Sequence, residues 1–462
     1  MPDSVTLNNL KHLYSRAAFG INYPDLQNRS NLSINQAVEE LFHQSKTYEA
    51  LDLGISSEVN MQVLQLSEQE RRERMRTARQ NIQRLNLIWL EKMASSEAML
   101  REKMTLFWHG HFACRSNNPV FLQALNNVHR QHGLGNFKTL LLEVSRSPAM
   151  LQFLNNQQNR KGRPNENFAR ELMELFTLGR GNYTEQDIKE AARAFTGWGF
   201  RPDGQFQFRE LLHDRGTKAF MGHTGNWDGQ DIIDHILKKP QAAEFIARKL
   251  YIFLVNDQAD EQRVKELGAY FYQNNYDISR LLKKILTSDW FYAPENVGSK
   301  IKSPIELLVG LNRQFKVQYQ NPAVLLQFQN ALGQVLFFPP NVAGWSGGRN
   351  WIDSSSLMLR LKIPSLVLNA GIIDFDGKAD IEDEALIALN QIRGFNIQRR
   401  VQARADWNKF TDEFPVNFQP QQLANFLLQT SVNPEVLNLL QKNTTLKSAA
   451  IELVSMPEYQ MC

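Results

Sequence analysis

The segment RPNENFARELMELFTLGRGNYTEQDIKEAARAFTGWGF, residues 163–200, brings together charged side chains that could do chemistry. At about 100° per helical residue, Glu166, Arg170, Glu171 and Glu174 fall in one polar sector opposite an apolar face. Arg170 lies four residues after Glu166 and four before Glu174, a spacing at which opposite charges meet on a helix. The stripe is therefore either a solvated face or the lining of a cavity. In a cavity, Arg170 would keep the carboxylates ionised, and Glu171 would accept a proton or bind a metal ion.

Two histidines, His109 and His111, are separated by one residue within FWHGHFACR. On a strand such a pair shares a face and supplies half of a metal site, but on a helix the two rings point about 200° apart. The preceding sequence is helical, so the pair predicts metal ligands only if the helix ends near Gly110. Together with Glu174 or another carboxylate of the stripe, the histidines would hold a divalent metal ion, since two imidazoles alone leave it under-coordinated. The alternative is one histidine in the core and one at a helix end.

A third group of polar residues lies in HDRGTKAFMGHTGNWDGQD, residues 213–231. His213 and Asp214 are adjacent, and they are candidates for proton transfer in an active site. A histidine beside an aspartate is also common in a turn that has no function.

A fourth group lies in FFPPNVAGWSGGRNWIDSSSLMLR, residues 337–360. Its prolines and glycines predict a rigid, turn-rich loop that presents Asn341, Trp345, Arg349 and Trp351. Such a loop suits ligand contact. It equally suits the role of a cap over a helical core. For a binding site, we expect the loop to pack against the helix that bears Glu166 or against the segment from 213.

The elements that must position these groups are predicted to be mostly helices. Ser33, Ser67, Thr184 and Ser303 each stand three residues before an acidic or amide side chain, which is the pattern of a capping box at a helix start. Ser303 is followed by proline, which is favoured in the first helical position. The four residues therefore predict four helix starts.

Helix ends and one long helical run are also visible. Gly20 and Gly179 follow apolar helical segments, as expected where a chain leaves a helix through a left-handed residue. The run from 67 to 112 has no proline and no glycine before Gly110, and its apolar residues are spaced helically from Ile82 onward. It predicts one long helix or two abutting helices, with a charged, solvated start.

The fold class that follows is all-α or predominantly α. Strand signals are confined to GQFQFRELL and GTKAFMG, which predict a small hairpin near 204–222. Because strands and helices do not alternate, a doubly wound sheet is not expected. We expect one large helical unit over 1–462, with the more polar stretch 377–420 as a variable insertion or a boundary.

Composition and charge exclude several classes of protein. The net charge of +4 comes from 52 basic and 48 acidic residues with no long basic run, so nucleic-acid binding is not indicated. The two cysteines, Cys114 and Cys462, are too far apart for a zinc-ligand spacing. The sequence shows neither a signal peptide nor a membrane span, so a cytoplasmic location is expected from the sequence as written.

The chain resembles the bacterial family called domain of unknown function 1800. The resemblance is carried by HLYSRAAFG, FWHGHF, NENFARELMELFTLGRGNYTEQDIKEAARAFTGW, HDRGTKAFMG, KIKSPIELLVG, PPNVAGWSGGRNWIDSSSLMLR and SMPEYQ, in this order along nearly the whole chain. It implies a mostly helical single unit and supplies no catalytic residues. Many members carry export signals, which this sequence lacks. Many members also have a gene neighbour of the family called domain of unknown function 1501, and this resemblance suggests its product as a partner.

Two functions from different classes fit these residues. The first is a metal-assisted hydrolase or related enzyme, in which the histidines and the stripe bind a divalent metal ion and the 213–214 pair transfers a proton. The second is a non-catalytic helical scaffold that binds a partner protein or a glycan through the Trp-rich loop. The sequence lacks the G-x-S-x-G, H-E-x-x-H, Walker and dinucleotide motifs, so the commonest hydrolases, NTPases and dehydrogenases are not indicated.

Overall fold

A computed structural model describes residues 4–55, 67–369, 402–430 and 445–462. Within these residues the chain forms 20 helices. The first ten are α1 Ser4–Ala17, α2 Tyr23–Asn28, α3 Ile34–Gln44, α4 Glu68–Ser95, α5 Met99–His111, α6 Pro119–His132, α7 Phe137–Arg146, α8 Pro148–Phe153, α9 Asn167–Glu171 and α10 Glu185–Ala194. The other ten are α11 Gly229–Leu237, α12 Pro240–Leu254, α13 Glu261–Gln273, α14 Ile278–Leu286, α15 Pro304–Phe315, α16 Ala323–Leu332, α17 Ser354–Leu368, α18 Trp407–Asp412, α19 Pro420–Leu427 and α20 Leu446–Val454.

All four predicted helix starts are confirmed, each with a complete capping box. At each start the cap side chain accepts a hydrogen bond from the backbone N–H of the third helical residue. The side chain of that third residue in turn accepts one from the backbone N–H of the cap. The four caps are Ser33, Ser67, Thr184 and Ser303. Pro304 occupies the first turn of α15. These starts depend only on neighbouring residues, which is why the sequence predicts them.

The other local helix predictions also hold. The run from 67 to 112 forms two abutting helices, α4 and α5, and the charged start of α4 is exposed. Gly20 and Gly179 have the positive φ values, 101° and 75°, expected of residues that end a helical segment.

Strands are few and short. β1 Trp198–Phe200 pairs with β2 Phe206–Phe208, β3 Lys218–Phe220 pairs with β4 His223–Gly225, and β5 Gln318–Tyr319 pairs with β6 Ala403–Arg404. All three pairs are antiparallel. The predominantly α fold is confirmed, and the region predicted as one hairpin near 204–222 belongs to two hairpins, at 198–208 and 218–225.

Helix α5 lies at the centre of the packing. Every residue from Met99 to His109 is buried, and the helix packs against α4 and α6. One cluster of buried apolar side chains runs from Leu10 to Tyr459. The two histidines of FWHGHF are therefore carried by a core helix.

No helix in the described ranges is long and apolar enough to cross a membrane. Residues 377–401 of the candidate insertion 377–420 lie outside the described residues. Its described part contains β6 and α18. The single unit over 1–462 and this boundary stay predictions.

Candidate functional site

The carboxylate stripe of residues 166–174 is partly exposed, and its charges are paired except that of Glu171, which forms no ion pair with a described residue. Burial, and secondarily the Glu174 charge, raise the pKa of Glu171. Arg170 binds Glu166 at 3.2 Å and Glu185 at 2.8 Å. Glu174 instead accepts hydrogen bonds from Arg180 at 2.5 Å and from the Tyr183 hydroxyl at 3.0 Å. These are the contacts of a solvated face.

Glu174 pairs with Arg180 and not with Arg170, and the helix changes type between residues 170 and 174. α9 continues as a π-helix over Leu172–Thr177. A π-helix bonds i to i+5 and therefore has more residues in each turn than an α-helix. A wheel of 100° per residue therefore fails beyond Glu171, and Thr177, which that wheel puts in the polar sector, is buried.

Helix α5 ends at His111, close to Gly110, but both histidines still lie within the helix. Their rings therefore do not share a face. His109 is buried, and its Nε2 accepts a hydrogen bond of 3.1 Å from the Phe337 N–H. Its ring also lies 5.5 Å from the Trp345 ring, centroid to centroid. Burial lowers the pKa of His109 to about 3, so the ring is a neutral acceptor that holds the chain before the Trp-rich loop.

His111 points to a different part of the molecule. Its Nε2 lies 3.1 Å from the Phe176 carbonyl oxygen, to which it donates. Burial, and secondarily the Lys249 charge, lower the pKa of His111 to about 3. The two histidines therefore serve different contacts.

The predicted metal ligands His109, His111 and Glu174 are each hydrogen-bonded to a different partner. In the part of the chain that the structure describes, no group of three or more His, Cys, Asp or Glu side chains could hold a metal ion. The helical phase of α5 and the π-helix together explain why these donors do not converge.

His213 and Asp214 lie between the two hairpins and hold that segment against α10 and the residues that follow it. The His213 Nδ1 lies 2.9 Å from the Thr196 carbonyl oxygen, and the ring is buried. Arg193 donates to Asp214 at 2.9 Å, and this hydrogen bond is the main reason that the pKa of Asp214 is lowered. Both residues have the contacts of a structural turn.

The Trp-rich loop, residues 339–351, packs over the end of α5. Arg115 donates to the carbonyl oxygens of Pro339 and Pro340. Gly344 has φ 82° and lies so close to the Gly110 carbonyl oxygen that a Cβ there would collide with it. Glycine is required at this contact because a side chain has neither the space nor an easy backbone conformation.

A cleft of about 290 Å³ opens beneath this loop. We call it the tryptophan cleft. Its wall consists of Leu106, Phe107, Gly110, His111, Leu175, Lys249, Ile252, Phe253, Asp257, Lys300, Ile301, Ser303, Glu306, Gln334, Ala343, Trp345, Gly347, Gly348 and Trp351. Leu175, which also lines the cleft, comes from the π-helix. The packing of the loop against the helix that bears Glu166 stays a prediction.

Two ion pairs fix the polar side of the tryptophan cleft. Lys300 donates to Asp257 at 2.5 Å and to the Ile252 carbonyl oxygen at 2.6 Å. Glu306 pairs with the buried Lys103 and accepts the Ser303 N–H at 2.7 Å. Although burial alone would raise it, the Lys103 ammonium lowers the pKa of Glu306 to about 2.

Lys249 gives the tryptophan cleft an uncompensated positive charge. It forms no ion pair with a described residue, and its Nζ lies 5.5 Å from the centre of the Phe245 ring. Because each cleft carboxylate already has a lysine partner, this ammonium is available to an anionic group of a ligand.

The tryptophan cleft contains only part of the predicted site. Trp345, Trp351 and His111 line it, whereas Asn341 and Arg349 do not. The Asn341 side chain accepts the Ala343 N–H at 2.9 Å and so shapes the turn. The residues outside the cleft also include Glu166, Arg170, Glu171, Glu174, His213 and Asp214.

Sequence reasoning missed the charged residues of the tryptophan cleft. These are Lys249, Asp257, Lys300 and Glu306. Glu306 was visible only as the acid of a capping box, and Lys300 only within the motif KIKSPIELLVG. Lys249 and Asp257 carry no local signal, because they meet the others only through tertiary packing.

The family model described as "Protein of unknown function (DUF1800)" matches residues 12–461 of the chain. Searches of curated proteins and of solved structures found no match. The resemblance carried by the sequence motifs is thus confirmed over nearly the whole chain. The description of the family names no activity, so the function has to be argued from the geometry of the cleft.

Proposed function

Since the chain belongs to the DUF1800 family, whose description leaves its function open, we propose a function from the tryptophan cleft: the protein binds an acidic glycan there. The observation that carries the proposal is that Trp345 and Trp351 line the same cleft as Lys249 and two fixed ion pairs. The proposal follows the scaffold hypothesis, with the Trp-rich loop as the binding element.

The chemistry of the cleft suits a sugar. A pyranose has an apolar C–H face that packs on an aromatic ring and hydroxyls that exchange hydrogen bonds with charged side chains. Trp345 is half-buried, as is Trp351, so each leaves ring surface for contact. Asp257, Lys300 and Glu306 are already held by their neighbours, so a ligand would meet pre-organised partners.

The uncompensated Lys249 favours a glycan that carries carboxylates, such as one built from uronic acids. A carboxylate of the ligand would supply the partner that this ammonium lacks among the described residues. A neutral sugar would leave the charge unpaired.

Binding is better supported than hydrolysis. With a pKa of about 2, Glu306 stays ionised and cannot act as a general acid near neutral pH. Asp257 is occupied by Lys300, and His111 donates its Nε2 proton to a backbone oxygen. The donors expected for a metal-assisted hydrolase are separated, and both carboxylates among the described lining residues of the cleft are held by lysines.

The test is calorimetric titration of the protein with tri-galacturonic acid and with maltotriose, a neutral control. We expect the acidic sugar to bind more tightly. Trp345→Ala should weaken binding at least tenfold with only a moderate loss of thermal stability. Trp227→Ala is the matched control, because Trp227 is also half-buried but lies outside the cleft. Lys249→Gln should remove most of the preference for the acidic sugar.

Two results would contradict the proposal. Binding of neither sugar would remove the glycan assignment. A large loss of stability in Trp345→Ala with unchanged binding would make the loop a cap over the core.

A further inference from the structure

A second pocket lies at the start of the segment 163–200, which carries the carboxylate stripe. Residues 160–163 form a tight turn, in which the Arg163 N–H donates to the Arg160 carbonyl oxygen at 2.9 Å. The turn is tied to a distant segment, since the Lys161 N–H donates to the Leu212 carbonyl oxygen at 2.8 Å. Residues 157–165 and 209–212 thus form the two sides of one pocket of about 530 Å³. We call it the arginine pocket.

The turn that carries Arg160 and Arg163 is held in place by Asn159, the residue before it. Asn159 is buried, and its amide oxygen accepts the Asn165 N–H at 2.9 Å. Its amide nitrogen donates to the Ala192 carbonyl oxygen at 2.8 Å. Both ends of the turn that carries Arg160 and Arg163 are therefore held before any ligand arrives.

Three arginines line the arginine pocket, and no carboxylate is among its lining residues. Arg160 and Arg163 are exposed and make no ion pair with any described residue. Arg209 donates once, to the Phe200 carbonyl oxygen at 3.1 Å, which leaves other guanidinium N–H groups free for a ligand.

The lack of carboxylates is local to this pocket. Nearby arginines do have acidic partners: Arg170 pairs with Glu166 and Glu185, and Arg193 pairs with Asp214. Guanidinium groups that share a pocket without acidic partners repel one another, and an oxyanion would relieve this repulsion with paired, charge-assisted hydrogen bonds.

We propose that the arginine pocket binds a phosphate or sulfate group, independently of the glycan proposed for the tryptophan cleft. Arg160, Arg163 and Arg209 supply the positive charge and the N–H donors. The buried amide oxygen of Gln157, which also lines the pocket, accepts no hydrogen bond from described residues. It would accept one from a hydroxyl beside the anionic group, so the ligand is a phosphate or sulfate ester of a hydroxylated molecule.

The test is calorimetric titration of the full chain with glucose 6-phosphate, glucose 6-sulfate and glucose, at constant ionic strength set with sodium chloride. We expect at least one ester to bind and glucose not to bind. Arg160→Gln and Arg163→Gln should each weaken ester binding about tenfold, which corresponds to the loss of one charge-assisted hydrogen bond. Both side chains are exposed, so these variants should fold.

The matched control is Arg76→Gln, which removes the same charge from an exposed position of α4 and should leave ester binding unchanged. Binding of one ester alone would identify the anion. Binding of both would show that the pocket accepts either a phosphate or a sulfate group. The proposal is overturned if neither ester binds, or if Arg76→Gln weakens binding as much as the pocket variants. Because Trp345→Ala should leave ester binding intact, a failure here is distinguishable from a failure of the glycan proposal.

Discussion

Glu306 is the residue that connects the tryptophan cleft to the core. Its carboxylate caps α15 through the Ser303 N–H and pairs with Lys103, a buried residue of α5. The Lys103 ammonium also lies 5.1 Å from the centre of the Phe19 ring. One side chain thus neutralises a buried charge, begins a helix and forms part of the cleft wall.

Glu306→Gln should lower the free energy of unfolding by about 3 kcal/mol at pH 7, because it leaves the buried Lys103 without its counter-charge. Glutamine can still cap the helix, so the loss reports the ion pair. The measurement is urea unfolding at pH 7. Glu185→Gln is the control: it breaks the exposed pair with Arg170 and should change stability little. Similar stabilities for the two variants would show that the buried ion pair contributes no more to the free energy of unfolding than the exposed one.

At the scale of elements, the position of the Trp-rich loop depends on its contact with α5. His109 accepts the Phe337 N–H before the loop begins, and Gly344 approaches the Gly110 carbonyl oxygen within the loop. Farther along, the close approach of Gly348 to Asp257 leaves no room for a side chain. Three contacts along the chain thus hold Trp345 and Trp351 at the cleft.

Gly344→Ala should displace the loop, because the added methyl group meets the Gly110 carbonyl oxygen and the residue has φ 82°. We expect a loss of about 1–3 kcal/mol of stability, the usual range for backbone strain of this kind, and weaker glycan binding. Gly347→Ala is the matched control for stability alone, since Gly347 has a negative φ and open space around its Cα but also lines the cleft. Thermal melts of both variants and a sugar titration of Gly344→Ala check the prediction, which is contradicted if the two variants are equally stable.

At the scale of the whole molecule, buried ionisable groups make stability depend on pH. Burial lowers the pKa values of His12, His109 and His111 to about 3, whereas unfolded histidine titrates near 6.5. Below pH 6.5 the unfolded chain therefore binds protons that the folded chain does not. The pKa of Glu306, lowered to about 2, acts in the same direction below pH 4.5, since its contribution is lost as the carboxylate protonates.

We therefore expect stability to fall as the pH decreases from 6.5, by on the order of 5 kcal/mol between pH 7 and pH 5. The measurement is urea unfolding at intervals of half a pH unit. His111→Gln should flatten the profile, because glutamine keeps a donor for the Phe176 carbonyl oxygen and does not titrate. His43→Gln, at an exposed position of α3, should leave the profile unchanged. A wild-type stability that is constant between pH 7 and pH 5 would contradict the prediction.

The sequence by itself determined the elements that depend on neighbouring residues. Ser33, Ser67, Thr184 and Ser303 begin helices as predicted, because a capping box needs only residues three apart. The predominantly α fold follows from the same local signals, and the family follows from motifs that can be read in order. The Trp-rich loop was also identified as a candidate binding element from its own composition.

Only the tertiary structure decided which side chains share a site. Lys249, Asp257, Lys300 and Glu306 come from separate parts of the chain and meet at one cleft. They meet because α12 and α15 both place side chains against α5, Phe253 against Phe107 and Glu306 against Lys103. The π-helix at Leu172–Thr177 changed the partners of Glu174, and the continuation of α5 to His111 separated the two histidine rings. Local periodicity cannot predict these outcomes, because burial and long-range contacts determine helix type, helix ends and the partners of each charge.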